Sequence, residues 1–148
     1  MPVRQFLRTA RRRAGRLPYL APVLFWMSVV ELAVRFVPLP RTSAFMGVPL
    51  RSTVDPQPVA RRPLTLTRWQ SGQLRALRPV ARRWPFADGP CLRQSLVAGH
   101  ILRRLDPVLR LGIATDDTKL LAHAWVEVGG ILLGESSDFA PLVEEQPG

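Results

Sequence analysis

The sequence contains very little cysteine and histidine, and this scarcity excludes several classes of function. A single cysteine, Cys91, cannot form an internal disulfide, which fits a reducing compartment and leaves the thiol free for chemistry. One cysteine and two widely separated histidines make no ligand cluster, so no metal is expected. Glycine-rich phosphate loops, internal repeats and nucleic-acid-binding signatures are also missing. No cofactor and no specific nucleic-acid partner are therefore expected.

Acidic residues are scarce in the first half of the chain. Residues 1–85 contain 16 arginines but only Glu31 and Asp55 as acids, a net charge of +14, whereas residues 86–148 carry a net charge of −4. This asymmetry indicates that the basic half meets an anionic surface or another macromolecule, while the other half has a separate task. The alternative is a solvated basic face that keeps the protein soluble.

The sequence also lacks an uninterrupted apolar run long enough to span a membrane. Residues 1–16 form a basic arm with six arginines, and the apolar run at about 17–30 is shorter than the roughly 20 residues that a span needs. Glu31 and Arg35, four residues apart, are expected to pair on a water-facing stripe. A signal peptide has the same layout, but no small-residue cleavage site follows, and nine arginines in residues 41–83 disfavour export. A cytoplasmic protein is predicted, with peripheral membrane contact as the alternative.

The 148 residues are enough for a single compact domain, which divides into three segments. Residues 1–40 are predicted to form the basic arm and an apolar helix. Residues 41–64, rich in proline and without periodicity, are predicted to be an extended connector with one short strand. Residues 65–148 are predicted to form the core, beginning with an amphipathic helix at 65–83, where apolar residues recur at a spacing of three.

Cys91 lies at the predicted start of a second helix. Asp88 or Gly89 can cap this helix, and Pro90 fits its first position. A sulfur in the first turn meets unpaired backbone N–H groups and the positive end of the helix dipole, which favour the reactive thiolate. The same N–H groups can receive the oxyanion that forms when a thiolate attacks a carbonyl. Taken alone, however, a lone cysteine is more often a small buried hydrophobe.

An antiparallel meander is predicted after this helix, with strands at about 108–114, in "LLAHAWVEV" and in "ILLGE". His123 lies mid-strand, a rigid position from which its imidazole can reach the helix start. A two-residue loop before "ILLGE" pairs His123 with Ser136, whereas a three-residue loop pairs it with Glu135. The loop sequence "VGG" suits the three-residue form, which places Glu135 beside His123 at about 5 Å. Asp138 is the alternative acid.

Cysteine, histidine and acid thus follow one another as a Cys-His-acid triad requires. The other histidine, His100, lies late on the helix without an arranged partner and is predicted to be structural. Trp84 and Trp125 are candidates for lining a cleft, and either is equally suited to the core.

The combination "CLRQSL" at a helix start, "HAWVEVGG" about thirty residues later and then "GES" resembles the transglutaminase-like cysteine proteases that remove leader peptides in lasso-peptide biosynthesis. The resemblance covers about residues 82–140. It implies an α+β, papain-like or transglutaminase-like fold in which the catalytic helix packs on an antiparallel sheet, with an N-terminal helical extension. It also implies Cys91 as nucleophile, His123 as base and Glu135 as the acid.

This resemblance further implies a cysteine endopeptidase whose substrate is a precursor peptide made of leader and core. Some relatives carry a leader-binding domain that begins with strands, whereas this chain begins with an arginine arm and an apolar helix. The stand-alone form is therefore implied, with a separate leader-binding protein as partner and an ATP-dependent lasso cyclase downstream. Two alternatives remain open: a transglutaminase or amidase with the same triad, and a non-catalytic basic binding or scaffold protein.

Overall fold

The chain folds as helices packed on one small sheet. The computed structural model describes residues 17–51, 64–86, 90–116 and 119–133, with the backbone alone for 113–116 and 119–122. The elements within these ranges are α1 (Leu17–Phe36), α2 (Leu39–Phe45), β1 (Leu50–Arg51), α3 (Arg68–Arg82), α4 (Cys91–Ile101), a 3₁₀ turn (Arg103–Leu105), β2 (Val108–Asp116), β3 (Lys119–Val128) and β4 (Ile131–Leu133). The α+β class predicted from the sequence is confirmed.

The sheet has the strand order β1-β2-β3-β4. β2, β3 and β4 form the predicted antiparallel meander, with β2 and β3 paired along nine positions. β1 pairs in parallel with β2, Leu50 lying opposite Leu109. The sheet is therefore mixed, because the predicted antiparallel meander is extended at one edge by the parallel strand β1.

The hairpin between β3 and β4 has a two-residue loop. Val128 pairs with Ile131, and the loop residues Gly129 and Gly130 have φ angles of +57° and +76°. Both central positions of a type I′ turn require positive φ, which two glycines adopt without steric cost. The predicted three-residue loop was therefore wrong, and with it the register that paired Glu135 with His123.

The first helix packs into the same core as the rest of the chain. Its residues Val23, Met27 and Val30 are fully buried together with residues of α3, α4 and the sheet. α1 is 20 residues long with a mean hydropathy of 1.7, so by length and composition alone it is able to cross a membrane. The uninterrupted apolar run ends before Glu31, as expected from the sequence, but the helix continues to Phe36. α1 is compatible with either a soluble or a membrane-associated protein.

The segment after α1 differs from the extended connector predicted for residues 41–64. It begins in α2, where Pro38 is the N-cap and Pro40 lies in the first turn. Prolines are accepted at these positions because the first N–H groups of a helix have no partner within it. The short strand expected in this segment is β1, and residues 52–63 lie outside the described ranges.

α3 occupies most of the amphipathic segment predicted at 65–83. It begins at a capping box in which Thr67 and Gln70 satisfy each other's backbone N–H groups. The Gln70 side chain also donates to the carbonyl of Ile101 at 3.4 Å. The start of α3 is thus joined to the end of α4.

Candidate active site

Cys91 is the first residue of α4 and therefore lies in its first turn, as predicted. Pro90 is the N-cap rather than the first helical residue, and its carbonyl accepts a hydrogen bond from the backbone of Gln94 at 2.8 Å. The predicted capping residues, Asp88 and Gly89, lie outside the described ranges. The Cys91 thiol is free and half-buried at the edge of the core.

His123 lies at the centre of β3, on the face of the strand opposite to the core. Ala124, Val126 and Val128 alternate with it and are buried against the helices. His123 and Trp125 share the other face, where their rings lie nearly parallel with centroids 5.9 Å apart. Trp125 therefore lies beside the imidazole, and its role in lining a cleft stays a prediction.

Gly112 allows the indole of Trp125 to lie in this position. It is the residue of β2 that pairs with His123. A Cβ atom at Gly112 would lie 2.7 Å from the Trp125 ring, closer than atoms in contact can approach. The indole therefore occupies space beside His123 that is open only because residue 112 has no side chain.

A hydrogen bond joins α4 to β3 next to His123. In a two-residue hairpin the residues flanking the loop exchange both backbone bonds, so every second residue of β3 directs its N–H and C=O toward β4. Val128, Val126 and Ala124 are these residues. The described part of β4 ends opposite Val126, and the Ala124 carbonyl accepts a bond from the Ser95 hydroxyl at 2.9 Å. α4 therefore meets the edge of β3 where the described part of β4 has ended.

Ser95 also locates Cys91 relative to the strand. Residues four apart lie on the same helix face, separated by about 6 Å along the axis. Because Ser95 donates to the carbonyl of the residue that follows His123, α4 meets the centre of β3 one turn after Cys91. Ser95 was not predicted to contribute to the site, although its hydroxyl lies four residues after the candidate nucleophile, a spacing that places both on one helix face.

The predicted acids cannot be located in the same way. Glu135 and Asp138 lie outside the described ranges. The observed hairpin register is the one that, in the sequence analysis, pairs His123 with Ser136. The geometric reason for preferring Glu135 is therefore removed, and the identity of the acid stays a prediction.

Glu31 is the centre of a buried polar cluster that the sequence analysis placed on a water-facing stripe. Its predicted pairing with Arg35 is confirmed at 2.8 Å, but Glu31 itself is buried. The Arg93 guanidinium also donates to both carboxylate oxygens, and the Trp84 indole N–H donates at 3.1 Å. The hydrogen bond from Arg93, helped by Trp84 and Arg35 against the effect of burial, lowers the pKa of Glu31 from 4.5 to about 2.

This cluster fixes the first turn of the helix that carries Cys91. Arg93 is two residues after Cys91, which places the two side chains on opposite sides of α4. On one side of α4, Arg93 forms an ion pair with Glu31 of α1. On the other side, which also carries Cys91, the Ser95 hydroxyl donates a hydrogen bond to β3. The start of α4 is thus held from both sides.

His100 is a structural residue, as predicted. Its Nδ1 lies 3.1 Å from the Met46 carbonyl, and its ring packs on Trp26 with centroids 3.8 Å apart. Burial, together with the charge of Arg103, lowers the pKa of His100 below 6.5, although the bond to Met46 acts in the opposite direction. Within the described ranges no group of three metal-ligating side chains occurs.

Comparison with known proteins identifies the family. A family model described as the transglutaminase-like superfamily matches residues 26–144, which include about half of α1 as well as Cys91, His123 and Glu135. The chain belongs to this superfamily. Its members are typically cysteine-dependent enzymes, so membership indicates cysteine protease or acyl-transfer activity. No curated protein and no solved structure matches the chain.

Proposed function

We propose that this transglutaminase-like protein is a cysteine endopeptidase that removes the leader from a ribosomally made precursor peptide during lasso-peptide maturation. Superfamily membership supports the cysteine-dependent chemistry. The observation that supports the proposal is the Ser95–Ala124 bond, which joins the helix that begins at Cys91 to the strand residue after His123. The sequence resemblance around these residues supports the particular substrate.

The proposed reaction begins with transfer of the Cys91 proton to His123. The thiolate attacks the carbonyl carbon of the last leader residue, and the backbone N–H groups at the start of α4 receive the oxyanion. The C–N bond then breaks, and the imidazolium gives its proton to the departing amine. Water, deprotonated by His123, hydrolyses the thioester, which releases the leader carboxylate and restores the thiol.

The edge of β3 explains how the imidazole would reach the sulfur. Strand carbonyls lie near the plane of the sheet, so the Ser95 hydroxyl approaches Ala124 along the edge rather than over the middle of a face. Cys91, one turn earlier on the same helix face, is proposed to border this edge, where the imidazole of His123 would reach it. Glu135, with Asp138 as the alternative, is proposed to orient the imidazole and stabilise its cation.

The proposed partners follow from the same reaction. A separate leader-binding protein would present the precursor, and an ATP-dependent lasso cyclase would use the newly freed amine of the core peptide. The test is incubation of the protein with a precursor peptide and its leader-binding partner, followed by mass spectrometry. We expect cleavage at a single bond by the wild type and no cleavage by the folded Cys91→Ala variant. Cleavage by that variant would contradict the mechanism.

Acyl transfer is the second candidate, because superfamily membership covers it equally. It uses the same thioester but an amine in place of water. Addition of a small primary amine to the incubation distinguishes the two reactions, since an amide product is heavier than the free carboxylate by the mass of the amine less water. An inactive wild type that still binds the precursor would instead favour a scaffold role.

A further inference from the structure

The outer side of α1 is an apolar surface that no described residue covers. Helical spacing places the exposed large hydrophobic side chains of α1 on one side, along about 30 Å of helix. Their exposed fractions range from 46% to 81%. We name this surface the α1 ridge, formed by Leu17, Leu24, Phe25, Leu32 and Phe36. Contiguous exposed apolar surface of this kind marks a site of interaction with another molecule.

A second feature extends the ridge sideways. Phe86, itself 58% exposed, lies across a hollow of about 260 Å³ whose walls include Leu32 and Arg35. The Arg35 guanidinium lies over the Phe86 ring at 6.0 Å. The surface is therefore broader than a single row of side chains, and it has a cation at its margin.

α1 is fixed to the protein on its other side, which excludes a spanning orientation. Val23, Met27 and Val30 are in the core, and α1 packs along both α3 and α4. A bilayer crossed by α1 would have to take in α3, whose 15 residues include four arginines, at a cost of several kcal/mol for each charge. The ridge is therefore able to enter only the interfacial layer, with the helix axis parallel to the membrane plane.

The charges near the α1 ridge indicate which kind of surface the ridge would contact. Among the described residues 17–51 the arginines are Arg35, Arg41 and Arg51, and the one acid is Glu31, which is buried and engaged by three side chains. Arg35 and Arg41 are exposed close to the end of α1. A convex apolar helix edged by cations and without an exposed acid is complementary to a membrane that carries anionic lipids. We propose that the α1 ridge docks this protein in-plane on an anionic membrane surface.

The test is co-sedimentation of the full chain with vesicles of equal parts phosphatidylcholine and phosphatidylglycerol, and with vesicles of phosphatidylcholine alone. We expect binding to the anionic vesicles, a marked loss of binding in high salt, and weaker binding to the neutral vesicles. The double variant Leu24→Gln/Leu32→Gln should bind about thirtyfold more weakly, because two half-exposed leucines no longer leave water. Alkaline carbonate should release the bound wild type, whereas resistance to extraction would contradict in-plane docking.

A matched double variant controls for general hydrophobicity. Leu111 and Leu132, 38% and 41% exposed, lie on the sheet rather than on α1. Leu111→Gln/Leu132→Gln should bind vesicles as the wild type does. Equal loss in both double variants, or no loss in the ridge variant, would overturn the proposal. So would absence of vesicle binding together with a dimer that the ridge variant abolishes, since the ridge would then serve self-association.

Discussion

The Glu31 cluster leads to a quantitative prediction about the helix that carries Cys91. The substitution Glu31→Gln removes the charge that pairs with Arg93 and Arg35. The pKa of Glu31 is lowered from 4.5 to about 2, which at about 1.4 kcal/mol per pH unit corresponds to about 3 kcal/mol of stability at neutral pH. Because the adjoining hollow is open to solvent, screening reduces the expected loss to about 2 kcal/mol.

Urea unfolding followed by tryptophan fluorescence measures this loss as a shift in the midpoint. The direction with pH is also fixed. A carboxyl whose pKa is depressed on folding contributes stability above pH 4.5 and loses it as the pH falls toward about 2. The difference in stability between wild type and Glu31→Gln should therefore be full at neutral pH and shrink steadily below pH 4.5.

Two arginine variants provide the matched control. The side chain of Arg93 is 15% exposed and that of Arg35 is 52% exposed. Arg93→Gln should therefore cost about 2 kcal/mol, and Arg35→Gln less than about 1 kcal/mol. Equal costs for the two arginine variants, or a Glu31→Gln variant as stable as the wild type at neutral pH, would refute the reasoning.

Three further predictions concern the surroundings of the site. Gly112→Ala should force the Trp125 ring aside, costing about 1–3 kcal/mol in urea unfolding and reducing precursor cleavage at least about tenfold; unchanged stability and cleavage would contradict the tight contact. Ser95→Ala should cost about 1 kcal/mol and slow cleavage, because the helix start loses its bond to Ala124; unchanged cleavage would show that this bond does not position the site. Because folding lowers the pKa of His100, the unfolded chain binds a proton there at a higher pH than the folded chain does. The free energy of unfolding should therefore decline as the pH falls below 6.5. If protonation of His100 causes this decline, His100→Phe should remove it.

Local features of the fold were predictable from the sequence. The start of α4 at Cys91 follows from a proline at a helix boundary and a periodic apolar face, both of which act within one or two turns. The β2–β3–β4 meander follows from strand-like runs separated by short loops. The loop length was not predictable in the same way, because "VGG" is compatible with both registers. The two glycines resolved it, since both adopt positive φ.

Features that depend on distant partners were missed. Glu31 was expected to face water because only Arg35 is near it in sequence, whereas Trp84 and Arg93 are 53 and 62 residues away. α2 was missed because prolines usually disfavour helices, and only their positions at its start make them compatible with one. Neither the burial of a carboxylate nor the packing of α2 can be read from local pattern.

Alkylation of the single cysteine tests most directly the claim that Cys91 and His123 act together. The rate of reaction with iodoacetamide at about pH 6.5, followed by intact mass, reports the reactivity of the Cys91 thiol. We expect the folded wild type to react at least about tenfold faster than a folded His123→Phe variant, which keeps a ring beside Trp125 but has no base. Equal rates in the two proteins would contradict the account.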